Sequence, residues 1–165
     1  MEKTADQIGS YLSFKLEEEL FAINVSKVFE ILAFRKITKV PHSPVYMRGV
    51  INLRGSVLPV IDTRLRFGMP PVSETVNTCI LVLDIAIRDE TVMLGIIADT
   101  VQEVVEIPFE EIKPAPALGS KFKAEFIQGM WKVGDEFMMI LDVDRIFSSD
   151  ELLIVSHDTE PPVIE

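Results

Sequence analysis

The chain has 165 residues, 48% of them hydrophobic, a mean hydropathy of +0.28 and a formal net charge of −10. That is enough apolar material for a real core and excludes a disordered chain. The acidic balance argues against nucleic acid or an anionic membrane surface as partner, since both are recognised through basic patches.

No apolar run approaches the ~20 residues needed to span a bilayer. The start, MEKTADQIGS, lacks the basic flank and apolar segment of a secretory signal. The single cysteine, Cys79, has no partner for an internal disulfide, so a cytoplasmic location is expected.

In chain order, residues 1–10 are polar and expected as a flexible tail. YLSFKL then alternates, with Leu12, Phe14 and Leu16 on one side and Ser13, Lys15 and Glu17 on the other, the period of a half-buried strand. Glu17, Glu18 and Glu19 predict a solvated turn, and Leu20 to Ile23 return as the second arm of a hairpin. NVSKVFEIL fits two periods. Asn24 suits a helix cap, with Val25, Val28 and Leu32 at helical spacing, yet the residues from Phe29 onward also suit a strand. The expectation is a helical turn over residues 24–27 passing into a strand by about Phe29. Ser43-Pro44 is a helix-start pair and predicts one turn over residues 45–47, ended by Gly49.

GVINLRGSVLPVID, residues 49–62, reads as a strand over 50–53, a turn at Arg54-Gly55-Ser56 and a strand over 57–61. Pro59 cannot donate a ladder hydrogen bond, which predicts an edge or a bulge nearby. Asp62 is placed to cap a short helix in DTRLRFG, with Gly68 at its C-terminal end. PPVSET is a linker. Beyond it, NTCILVLDIAI, TVMLGIIAD and VQEVVEI read as strands, and IKPAPAL breaks structure ahead of a segment with two lysines. FIQGMWKVGDEFMMILDVDRIF predicts a hairpin around Gly134-Asp135 ending near a short helix, with Met130, Trp131, Met138 and Met139 as packing residues. Ser148-Ser149-Asp150 suits a final cap, and residues 156–165 a flexible tail.

About ten short strands with almost no long helix predict an all-β (mainly β) fold of the sandwich or barrel type. The linker near residues 69–76 divides the strands about evenly, so two small barrels packed together are expected, approximately 11–68 and 76–148, with strand exchange between them allowed.

The usual sets of catalytic side chains are absent from the sequence. His42 and His157, with one cysteine, make no closed zinc set. There is no GxxxxGK[ST], no GxGxxG and no supported Ser-His-Asp set. Asp62-Thr63 and Asp99-Thr100 each follow apolar residues, roughly as in aspartic-type hydrolases, a remote alternative that needs two carboxylates sharing a proton. Arg64 and Val101 stand where the following glycines would be. The expectation is a protein that is not an enzyme and holds no cofactor or metal.

At residues 48–64 the run RGVINLRGSVLPVIDTR resembles the CheW family, the coupling proteins of bacterial chemotaxis. The resemblance extends over about residues 11–153, a single CheW-like domain, through FAINVSKVFEIL, the I-x-P-A-P segment at Ile112 to Pro116 and the closing ILDVDRIFSSDEL. It implies two five-stranded SH3-like barrels and a non-catalytic adaptor joining the cytoplasmic tips of chemoreceptors to the regulatory domain of the CheA histidine kinase. Localisation would then be cytoplasmic, with recruitment to membrane-associated receptor arrays.

Carried over by position, the resemblance implies receptor-binding roles for Leu12, Val25, Val28, Ile31, Gly49, Asn52, Leu53, Arg54, Gly55, Val101 and Val104. Glu30 falls in a region used for receptor or kinase contact, without assignment between them. Thr100 stands where many relatives have glycine. A helical receptor tip lying in an apolar groove, with an arginine fork on its rim, is coherent with this set. Two alternatives stay open: Arg54 satisfying carbonyls of its own turn, and Leu12 and Val28 as ordinary core. A stand-alone adaptor is favoured by the methionine start and by the end soon after the second barrel; a CheW-like regulatory domain of a CheA or CheV-type protein is the alternative.

Overall fold

The computed structural model describes residues 7–71, 73–87, 89–114 and 126–146. Ten strands form: β1 (Ile8–Leu16), β2 (Glu19–Asn24), β3 (Val28–Ala33), β4 (Met47–Leu53), β5 (Ser56–Ile61), β6 (Cys79–Ile87), β7 (Glu90–Ala98), β8 (Thr100–Pro108), β9 (Ile127–Val133) and β10 (Glu136–Leu141). Among the described residues they are joined or followed by one helix, α1 (Thr63–Arg66), and by 3-10 turns at Val25–Lys27, Phe109–Glu111 and Val143–Arg145. The final cap at 148–150, the tail 156–165, the two-lysine segment and the Ala-Pro of I-x-P-A-P fall outside the described residues.

The strands make two five-stranded sheets, β8-β1-β2-β10-β9 and β3-β6-β7-β5-β4. Each closes on itself through one bridge. Thr38, beyond β3, exchanges two backbone hydrogen bonds of 2.9 and 2.8 Å with Val50 of β4, and Lys113, beyond β8, exchanges two of 2.8 Å with Met130 of β9. Gly49 permits the first closure. Its φ of 149° lies outside the range of ordinary side chains, and a Cβ there would overlap the Thr38 carbonyl.

The linker near 69–76 does not divide these barrels. It joins β5 to β6 inside the second sheet, and each sheet draws strands from both halves of the chain. The reason is parallel pairing of distant strands: β10 on β2 through Met138↔Leu20, and β5 on β7 through Val60↔Gly95. A linker read from composition carries no information on such pairs. β5 is therefore an interior strand, but its bonds to β7 are confined to Val60 and Ile61, so Pro59 faces an unpaired side.

Three smaller expectations are revised. β1 begins at Ile8 because it continues to pair with β8, Ile8↔Pro108. No helical turn forms at residues 45–47. Ser43 Oγ donates back to the Val40 carbonyl at 2.8 Å, Met47 N–H closes a turn on the Pro44 carbonyl, and Met47 is drawn into β4 opposite Ile61. Glu17, with a φ of 57°, is more than a solvated turn residue, because its carboxylate meets Arg64 at 3.0 Å. The Asn24 turn and the Asp62 cap form as expected: Asn24 Oδ1 accepts from Ser26 N–H, and Asp62 Oδ1 from Arg64 and Leu65 N–H.

Period-two alternation sorts the buried residues into three layers. In β6, Ile80 and Val82 point into the second barrel, while Leu81, Leu83 and Ile85 point toward the first. Both faces of β6 are buried, which explains its near-continuous apolar run. Tyr11, Leu20, Ala22, Met138 and Ile140 fill the first barrel. Between the barrels lies the largest layer, threaded by the rings of Phe14, Phe21, Phe67 and Phe126 at successive centroid distances of 5.9, 5.7 and 5.9 Å. These spacings suit attractive aromatic packing.

Candidate interaction surface

Arg54 and Gly55 form a two-residue turn between β4 and β5, with φ of 51° and 88°. Two left-handed residues make the type I′ hairpin geometry, for which Asn-Gly is the preferred pair. An arginine at the first position costs about 1 kcal/mol relative to glycine. Asn52 Oδ1 braces the turn by accepting from Gly55 N–H at 2.7 Å.

The arginine does not turn back on its own carbonyls. Its Nη2 reaches Glu30 Oε2 of β3 at 2.7 Å. β3 and β4 are opposite edges of one sheet, so this ion pair spans the seam of the barrel, beside the bond from Arg35 Nη1 to the Asn52 carbonyl. The Arg54 side chain is 66% exposed and that of Glu30 25%. A planar fork with five donors, one committed to Glu30, retains donors for a partner. Next to it is a depression of about 250 Å³ lined by Phe29, Leu53, Arg54, Val57 and Met93. Phe29 and Val57 are exposed there.

The apolar candidates divide by burial. Leu12 is 5% exposed and belongs to the layer between the barrels, and Leu53 and Gly49 are buried as well. Leu12 and Gly49 support a surface from below, whereas Leu53 reaches it as part of the lining of the depression beside Arg54. Ile31 and Val104 are 48% and 56% exposed. Register gives their direction, because residues opposite one another on neighbouring strands share a face. Ile31 lies opposite Leu81 and Val28 opposite Leu83; Val104 lies opposite Leu12 and Val101 opposite Phe14. All four partners belong to the inter-barrel layer. Val28 and Val101 pack half-buried against that layer from the edge strands of different sheets. Val25 adds an exposed apolar side chain just before β3. The inter-barrel layer thus reaches solvent along two strand edges, β3 of one sheet and β8 of the other, which together make up the apolar strip.

Glu30 lies opposite Val82, on the interior side of the second barrel, whereas Ile31 lies opposite Leu81 on the inter-barrel side. The structure therefore joins Arg54 with Glu30, Phe29 and Val57, and places the apolar strip on the other face of β3. Phe29 and Val57 were not among the sequence candidates. The signal for Val57 was an apolar residue at an outward position of β5 next to the Arg54 turn, whereas Phe29, on β3, comes there only through closure of the barrel seam.

The remaining carboxylates have separate tasks. Asp62 is fully buried, caps α1 and lies 3.5 Å from Arg48, while Asp99 binds Arg64 at 3.1 Å. Each is occupied by its own cationic and N–H donors, which removes the shared-proton chemistry of a hydrolase. Among the described residues no group of three or more His, Cys, Asp or Glu is placed to hold a metal ion.

Comparison with known proteins supplies the context. The profile of the CheW-like domain matches residues 10–151. The chain is 32% identical over 147 residues to the chemotaxis protein CheW of Klebsiella aerogenes, covering 89% of this chain and 86% of that one. It is 32% identical over 140 residues to a probable chemotaxis protein CheW of Rhizobium etli, with coverage of 85% and 88%. The crystal structure of the scaffolding protein TtCheW from Thermoanaerobacter tengcongensis superposes with a TM-score of 0.79 at 28% identity, over 93% of this chain and 99% of that one.

Proposed function

The chain belongs to the CheW-like family, and on that premise we propose that it couples the cytoplasmic tips of chemoreceptors to the regulatory domain of a CheA-type histidine kinase. It is a non-catalytic chemotaxis scaffold, so its work lies in the shape and polarity of its surfaces. The observation that carries the reading is the apolar strip of Val25, Val28, Ile31, Val101 and Val104 along two edge strands. A receptor tip is a helical hairpin, and an amphipathic helix buries its apolar stripe in such a trough while polar groups fix its register.

Arg54 and Glu30, with Asn52 and Gly55 shaping the turn, form a second contact surface on the opposite face of β3, beside Phe29 and Val57. Two faces on one strand allow two partners to be held at once, as an adaptor requires. Residues 11–153 act as one unit, because neither half supplies all five strands of a barrel. Among the described residues no helix is long and apolar enough to cross a membrane; attachment to receptor arrays is then through the receptor tips.

The test is a titration against a purified receptor-tip fragment and a purified CheA regulatory domain. Saturable binding to both, with Ile31→Asp losing the receptor tip and keeping the kinase domain, is the expected result. A folded protein that binds neither partner would overturn the proposal.

A further inference from the structure

Among the described strands the chain passes between the two sheets twice, at β2 to β3 and at β7 to β8. These crossovers are related. Asn24-Val25-Ser26-Lys27-Val28-Phe29-Glu30-Ile31 and Thr100-Val101-Gln102-Glu103-Val104-Val105-Glu106-Ile107 share V-x-x-V-x-E-I. Each leads into the edge strand of a sheet with the same arrangement of neighbours, and each edge strand is followed by a bridge to a strand whose adjoining glycine, Gly49 or Gly129, lies against the bridging carbonyl. The two lips of the apolar strip thus start from one element used twice, with Val25 and Val28 matching Val101 and Val104; the match ends at the isoleucines, since Ile31 is exposed on the strip and Ile107 is buried in the first barrel.

A charged cluster holds each crossover. Asp62 and Asp142, following β5 and β10, each accept from the N–H two residues on, at 3.0 and 3.2 Å. Those residues, Arg64 and Asp144, occupy equivalent positions and carry opposite charges. Asp144 takes Lys27 of the first crossover at 2.8 Å and the N–H of Ala86 on β6 at 2.9 Å. Arg64 takes Asp99 of the second crossover at 3.1 Å and Glu17 of the β1–β2 turn at 3.0 Å, while Asp99 also accepts from Glu17 N–H at 2.6 Å. Each cluster reaches from the end of a strand in one sheet to a hairpin of the other. Arg64 is only 12% exposed.

We propose that these two clusters, Lys27–Asp144 and Arg64–Asp99–Glu17, are positioning devices that fix the two lips of the inter-barrel strip, and so set its fit to a helical partner. None of the five charged groups lies among the apolar contact residues. They act through Val25 and Val28 on one side and Val101 on the other, next to them in the chain. The inference rests on the receptor-tip reading above, but its physical content is a property of the free protein. Substitutions that remove a cluster should loosen one lip without touching the Arg54 face.

The experiment uses the full chain with Lys27→Met, Asp144→Asn and Lys27→Arg. It measures affinity for the receptor-tip fragment and for the CheA regulatory domain, with amide hydrogen exchange of the free protein. Lys27→Met and Asp144→Asn should weaken tip binding by about threefold to tenfold, the range for residues that act on a site without touching the ligand. Kinase-domain affinity should stay within about twofold, which is within ordinary surface effects, and Lys27→Arg should restore tip binding. Exchange should accelerate in β3 and remain unchanged at the β4–β5 hairpin. Equal losses toward both partners, or unchanged tip binding and exchange, would overturn the proposal. If the wild-type protein binds no receptor tip, the functional reading fails on its own account. Local acceleration in β3 then still supports the positioning role, and its absence overturns it.

Discussion

Replacing Arg54 by asparagine separates the cost of the turn from the use of the side chain. At a φ of 51° followed by Gly55, Asn-Gly is the preferred type I′ pair, so relief of left-handed strain contributes up to about 1 kcal/mol. The change removes the Glu30 ion pair. With Arg54 66% exposed, that pair is screened by solvent and contributes about 0–1 kcal/mol. The two effects oppose each other, so net stability should move by less than about 1 kcal/mol, a melting shift under about 4 °C for a domain of this size. Desolvated charge-assisted bonds at an interface are worth about 2 kcal/mol or more, so at least about tenfold in affinity should be lost toward whichever partner contacts this face.

The assay is a thermal melt beside parallel titrations with the receptor tip and the kinase domain, repeated with Glu30→Gln. Loss toward one partner with an unshifted melt assigns the face. A melting drop above about 8 °C with equal losses toward both would mean that Arg54 chiefly holds the barrel seam, since it would correspond to more than about 2 kcal/mol. Unchanged affinity for both partners would refute the reasoning outright.

Gly49→Ala should cost more than about 2 kcal/mol, because it combines a left-handed φ with a Cβ driven into the Thr38 carbonyl; the midpoint of urea unfolding reads this directly. Leu12→Asp should unfold the protein, losing more than about 3 kcal/mol by burying an unpaired carboxylate, whereas Ile31→Asp should melt normally and lose the receptor tip. Circular dichroism and a titration on the same samples distinguish them. Burial pushes the Cys79 thiol above its ordinary value near 9.0. Iodoacetamide should therefore label it slowly in the native state and rapidly in urea, and fast native labelling would contradict the buried placement. Above that value the unfolded chain ionises its thiol while the native state retains the proton. The contribution is thus intact below pH 9.0 and is lost as pH rises beyond it.

Local features were legible because their causes are local. Alternation at Leu12, Phe14 and Leu16 gave β1, the carboxylate before Thr63 gave the α1 cap, and Gly134-Asp135 gave the last hairpin. The turn at Val45 failed because Met47 gains more by burial opposite Ile61 than a single helical turn offers. Partner choice among strands was not legible. Nothing near Leu20 records that it lies beside Met138. At the candidate surface the turn itself marked Arg54, but its pairing with Glu30 needed the closure of a barrel. Leu12 and Ile31 are equally apolar in sequence, and only the sheet edges decide that one is core and the other is surface.

The interleaving of the two barrels also bears on how the chain is made. On a ribosome, β1 and β2 precede the other described strands, yet the strand that flanks β2 on its far side is β10, the last of the described strands to emerge. The second barrel draws on consecutive strands β3 to β7 and is complete while the first still lacks three of its members. Such non-local closure is slow relative to local contacts, and the waiting hairpin leaves Phe14 and Phe21 uncovered until the later strands have emerged. A chain cut short after β7 would carry one finished barrel and β3 without the opposing lip on β8. Translation thus completes the apolar strip only once β8 has emerged, two strands before the first barrel can close, and a product truncated after β7 carries one side of it.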